Sequence, residues 1–135
     1  MKQMTGKQSI SFAEPVYIEG SAAVVGEMEK EGPLGAYFSH TLSDAMCGQE
    51  SWEEGESELQ LAAAKLAMQR ADVKPEQIRM VFAGDLLAQS IASSFGLVNL
   101  NCPLYGLFGA CSTIGEAISL GAMAVAGGYG DRVLA

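Results

Sequence analysis

The stretch Thr113 to Ala126, TIGEAISLGAMAVA, has no polar face. From Gly115 to Ala126 every residue except Glu116 and Ser119 is apolar or Gly. An amphipathic surface helix buries one stripe and wets the other, so a helix of this composition needs cover from more than one layer, with neighbouring backbones close by. Thr113 and Glu116 stand in capping-box relation and mark its start. Arg132 to Ala135 then reads as the beginning of another strand, and the last residue falls inside it. The expectation is that residues 1–135 form one half of a larger domain, truncated before the half that covers this helix.

Upstream, helix and strand signals alternate. Ser51-Trp52-Glu53-Glu54 has the form of a capping box, with Ser51 as N-cap and Glu54 reaching back, and Leu59, Ala62, Ala63, Leu66 and Ala67 follow at helical spacing. This predicts a helix over about 52–71, ended by Asp72-Val73-Lys74-Pro75. Ile78 to Ala83 reads as a buried strand closing at Gly84-Asp85. Leu86 to Phe95 is the next helix, stopped by Gly96, and Pro103 opens a strand over Leu104 to Phe108. Before Ser51 the pattern is weaker: short strands at Ser9 to Phe12 and Val16 to Ile18, then a long Gly-rich loop from Gly20 to Gly48. The order β-α-β-α-β-α-β implies an α/β fold with a mostly parallel sheet, right-handed crossovers and a buried helix after Cys111.

Composition narrows the function. With a formal charge of −8, the chain lacks the clustered Lys and Arg that nucleic acid or an anionic membrane surface calls for. No run is long and apolar enough to span a bilayer, and the polar start MKQMTGKQS is unlike a signal peptide. Cys47, Cys102 and Cys111 are odd in number and match no zinc or CxxC spacing. Cys102 and Cys111 would sit at opposite ends of a strand, roughly 25–30 Å apart, too far to bridge. A soluble chain in a reducing compartment is expected. Acidic residues are plentiful but none has EF-hand spacing, so no metal is assigned.

Cys111 carries the most chemistry. It falls where a strand ends and a helix begins, so its sulfur meets the unpaired N–H groups and positive end of the helix dipole, a setting that stabilises a thiolate or holds a ligand carboxylate. A small core residue is the third reading of the same position.

Gly109-Ala110-Cys111-Ser112-Thr113 resembles the cysteine elbow of the thiolase and β-ketoacyl-synthase superfamily. Together with Gly32-Pro33-Leu34-Gly35, Ser51-Trp52-Glu53 and Ala83-Gly84-Asp85-Leu86-Leu87, it resembles the stage V sporulation protein AD family over nearly the whole chain. That resemblance implies the N-terminal half of a thiolase-like fold. It also implies binding of dipicolinic acid, with or without calcium, in the pocket that related enzymes use for acyl substrates. Partners would be dipicolinate or calcium dipicolinate and the other dipicolinate-transport subunits, with a second copy or a C-terminal half completing the molecule. The location would be the forespore or spore cytoplasm, peripheral to the inner membrane through those partners. Cys111 and Asp85 are the ligand-binding candidates. Asp85 has a second reading as a polar residue that satisfies a strand-end turn.

No catalytic residue, metal or cofactor is assigned. A cysteine nucleophile needs a base and an oxyanion hole, and the only histidine, His40, lies far away in the early loop. Three readings follow: a non-catalytic dipicolinate-binding subunit, a Cys111-dependent acyltransferase of the synthase type, and a structural subunit in which Cys111 packs.

Overall fold

A computed structural model describes residues 4–87 and 89–135. Met1–Gln3, at the head of the polar N-terminal stretch, and Ala88, inside the expected second helix, lie outside them. The expected strand at Ser9 to Phe12 is present as Ser9–Ile10, and the segment from Gly20 to Gly48 holds more structure than a loop reading allows. Met4–Thr5 (β1) and Ser9–Ile10 (β2) form an antiparallel hairpin. Val24–Val25 (β3) pairs in parallel with His40–Thr41 (β4), and Glu27–Glu31 (α1) lies between them. The expected strand at Val16 to Ile18 does not form. That segment joins no ladder, and just beyond it Glu19 pairs with Arg132 at 2.7 Å.

Trp52–Arg70 forms α2, and Ser51 caps it as expected. Its Oγ accepts from the Glu54 N–H at 3.2 Å, and the hydroxyl donates to the Glu54 carboxylate at 3.1 Å. Val81–Ala83 (β5), Ile91–Leu97 (α3), Leu104–Gly106 (β6) and Thr113–Ala126 (α4) follow. β5 and β6 are parallel, in the register Val81 to Leu104, Phe82 to Tyr105 and Ala83 to Gly106. Leu134 bridges Val81 in parallel on the other side, supported by Phe82 N–H to Leu134 C=O at 2.9 Å. The parallel pairing is as expected, but it is divided among short ladders rather than spread through one continuous sheet.

Strand alternation decides what lies on each face. Val81 points into a core with Ala64, Met68, Ile78, Leu97 and Leu100, contributed by α2, α3 and their connections. Phe82 points the other way, against Ala117 and Ala124 of α4, with Met80, Leu107 and Val133 around them. The central strand is thus sandwiched by helices.

Two expectations about helices are corrected. The second helix does not run from Leu86 to Phe95. It begins at Ile91, because Gln89 and Ser90 take left-handed backbone angles (φ 53° and 74°), and it continues through Gly96. Gly96 is there for approach rather than for termination: a Cβ would stand 2.6 Å from the Ser57 carbonyl oxygen of α2. The helix after Cys111, expected to be buried on all sides, buries only the stripe Ala117, Gly121 and Ala124. Ile114 is 62% exposed, and Ile118 and Met123 are also open, because the described residues supply one covering layer and not two.

Candidate functional site

Parallel pairing brings the carboxyl ends of β5 and β6 to the same edge, the end of an open α/β sheet where ligands bind. The loops that leave these ends interlock. A Cβ on Gly84 would stand 2.8 Å from Thr113 Cγ2, and one on Gly106 would stand 2.8 Å from Ser90 Oγ. Larger residues at 84 or 106 would push the two loops apart. Ser90 Oγ and Thr113 Oγ1, both at this seam, are buried without a hydrogen-bond partner among the described residues.

Cys111 is exposed, in the single 3-10 turn Ala110–Ser112 that leads into α4. Among the described residues Cys111 belongs to neither buried cluster. The turn is built by Ala110, a non-glycine held at φ 48°, at a cost of about 1–2 kcal/mol. Ser112 offsets the strain: its N–H reaches the Gly109 carbonyl at 2.9 Å and its hydroxyl reaches the same oxygen at 2.8 Å. The expected capping box between Thr113 and Glu116 does not form, because Glu116 is taken by the Ser112 hydroxyl one residue earlier. The amino end of α4 therefore carries no side-chain cap.

Asp85 lies in the loop beside this turn, but its carboxylate works on α3. Oδ1 accepts the Ser90 N–H at 2.9 Å, and Oδ2 accepts the Ser93 N–H at 2.9 Å and the Ser93 hydroxyl at 2.7 Å. Of its two readings, the strand-end turn is the one these bonds support. Two α2 residues that the sequence reading passed over also reach this loop. Glu56 accepts the Leu86 N–H at 3.0 Å and the Leu87 N–H at 3.4 Å, and Gln60 Nε2 donates to the Gly84 carbonyl at 3.4 Å. Their four-residue spacing, which puts both on one helix face, was the available signal.

His40 is exposed on β4, in a different ladder from the one that carries the Cys111 turn. Among the described residues no group of three or more His, Cys, Asp or Glu could hold a metal ion.

A family model described as Stage V sporulation protein AD (SpoVAD) matches residues 6–135. The chain belongs to the SpoVAD family. The Stage V sporulation protein AD of Bacillus subtilis (strain 168) is 35% identical to it over 133 residues, 98% of this chain and 39% of that protein. The chain thus spans well under half the length of this curated relative, and SpoVAD membership supports a role in sporulation. No helix among the described residues is long and apolar enough to cross a membrane.

The three free cysteines differ in accessibility. Burial pushes the Cys47 thiol up, with Asp44 and Glu58 adding to the shift, and burial also pushes Cys102 up. A raised thiol has less thiolate near neutral pH. Alkylation with iodoacetamide at pH 7.5 is therefore expected to modify Cys111 first, with Cys47 and Cys102 lagging until the chain is unfolded. Peptide mass mapping over time reads the order.

Proposed function

We propose that the chain binds dipicolinic acid at the carboxyl ends of β5 and β6, as part of the machinery that moves this dicarboxylate into the developing spore. One observation carries the reading: Cys111 is exposed at the uncapped amino end of the 14-residue α4, beside a parallel strand-end edge. The N–H groups of a helix's first turn and its positive dipole end favour a carboxylate. Membership of a sporulation family supplies the biological setting.

Electrostatics bears on how the ligand arrives. A dianion approaching a chain of formal charge −8 is repelled over the long range. Calcium would cancel that repulsion, so the calcium complex is the favoured form of the ligand. The chain acts here as a binding subunit that works with other transport subunits, without catalysing turnover. It forms the amino-terminal half of a thiolase-like domain, and a further segment covers the open face of α4 at Ile114, Ile118 and Met123.

The test is calorimetric titration of dipicolinate, with and without calcium, into this chain and into a longer one that extends past Ala135. Binding is expected, and to be roughly fivefold weaker in Cys111→Ala, the effect of losing about 1 kcal/mol of polar contact. Absence of binding to both chains would overturn the proposal. The exposed thiol also keeps acyl transfer testable: a mass increase on Cys111 after exposure to an acyl-CoA, absent in Cys111→Ala, would put that reading ahead.

A further inference from the structure

Asp85, Leu86 and Leu87 form one wall of the strand-end edge, yet burial does little to hold the two leucines. Leu86 is 67% exposed and Leu87 is 54% exposed, so their side chains supply little packing. Carboxylates grip the loop from two directions. Asp85 ties its far end to the start of α3 through Ser90 and Ser93, and Glu56, from α2, takes the backbone N–H groups of Leu86 and Leu87. Gln60, one turn further along the same face of α2, holds the Gly84 carbonyl.

α2 is a suitable anchor for this grip. It is 19 residues long and is locked against α3, where the Gly96 backbone approaches Ser57 too closely for any side chain. The loop it holds packs in turn against the opposite wall, with Gly84 under Thr113 and Ser90 over Gly106. Movement of Leu86 and Leu87 would be transmitted through Gly84 to the first residue of α4, two residues from Cys111.

We propose that Glu56 is a positioning residue of the strand-end site: it fixes the Gly84–Leu87 backbone and, through it, the gap between that loop and the Cys111 turn. The ligand part of this role rests on the dicarboxylate reading above. The sign of the effect separates positioning from simple charge. As a negative charge alone, Glu56 repels a dicarboxylate, and its removal would tighten binding. As a clamp its removal loosens the wall, and binding weakens.

The experiment compares wild type, Glu56→Ala and Glu56→Gln by amide hydrogen exchange of the ligand-free chain and by calorimetry with dipicolinate, with calcium present and absent. In Glu56→Ala the Leu86 and Leu87 amides are expected to exchange roughly tenfold faster while the Phe82 amide is unchanged, and dipicolinate affinity is expected to fall roughly three- to tenfold. Glu56→Gln keeps one acceptor oxygen, enough for the closer Leu86 N–H, but turns an amide NH2 towards the Leu87 N–H, so it should restore protection at Leu86 and recover only part of the affinity. Unchanged exchange at Leu86 and Leu87 would overturn the clamp. Unchanged or tighter binding by Glu56→Ala, in a chain whose wild type binds, would overturn the positioning role and leave the ligand reading standing. A wild type that binds no dipicolinate removes the ligand reading and the positioning role with it, whatever the exchange shows.

Discussion

Asp85→Ala is expected to destabilise the chain by about 3–5 kcal/mol, lowering Tm by roughly 10 °C or more. Among the described residues the carboxylate accepts hydrogen bonds from the Ser90 N–H and from both the N–H and hydroxyl of Ser93. Ser93 is 0% exposed, so its hydroxyl has no recourse to solvent once its acceptor is gone. A buried donor left unpaired costs about 1–3 kcal/mol, and bonds to a charged acceptor are at the upper end of the range. Asp85→Asn keeps one acceptor oxygen but presents an amide NH2 to groups that are themselves donors. It should therefore recover only part of the loss. Thermal unfolding followed by far-UV circular dichroism measures both variants. If Asp85 were instead a ligand contact, Asp85→Ala would leave Tm within about 2 °C and lower dipicolinate affinity alone; that result would reverse the assignment drawn from the hydrogen bonds.

Asp85 also shows what could be read from the sequence and what could not. The apolar stretch Ile78 to Ala83 reads as a buried strand; the ladder forms over Val81–Ala83, and Val81 and Phe82 face opposite layers. Ser51 predicts the start of α2 because a cap is a local device, complete within four residues. The start of α3 is different. It involves Asp85, whose carboxylate reaches forward to the Ser90 and Ser93 N–H groups, and left-handed angles at Gln89 and Ser90 that no local preference demands. Gly96 misleads for a related reason. Read along the chain, a glycine ends a helix, but in space it lets α3 lie on the Ser57 backbone. At the site, the strand-to-helix position of Cys111 was legible from pattern and resemblance. The competition between Ser112 and Thr113 for Glu116 was not, since both stand at plausible cap spacing and only the turn geometry decides.

The second large effect is expected at Phe82. Phe82→Ala should cost about 3–5 kcal/mol, because the ring fills the space between the central strand and α4. α4 offers the strand nothing bulky in return: its buried stripe is Ala117, Gly121 and Ala124, and a Cβ on Gly121 would already stand 3.1 Å from Val133 Cγ2. The helix thus sits close through small residues, and Phe82 is the large buried side chain of this cluster, stacked on Tyr105 of β6 with centroids 5.1 Å apart. Removing it leaves a cavity that Gly and Ala cannot fill, whereas Phe82→Leu keeps most of the volume and should cost less than about 1.5 kcal/mol. The loss should extend to the site, because α4 carries the Cys111 turn at its amino end. Urea unfolding gives the stability change, and a shifted rate of Cys111 alkylation in folded Phe82→Leu reports displacement of the turn. A loss below about 1 kcal/mol in Phe82→Ala would mean that α4 can settle onto the strand. The strand-end geometry would then be set by the interlocking loops at Gly84 and Gly106, with the Phe82 contact secondary.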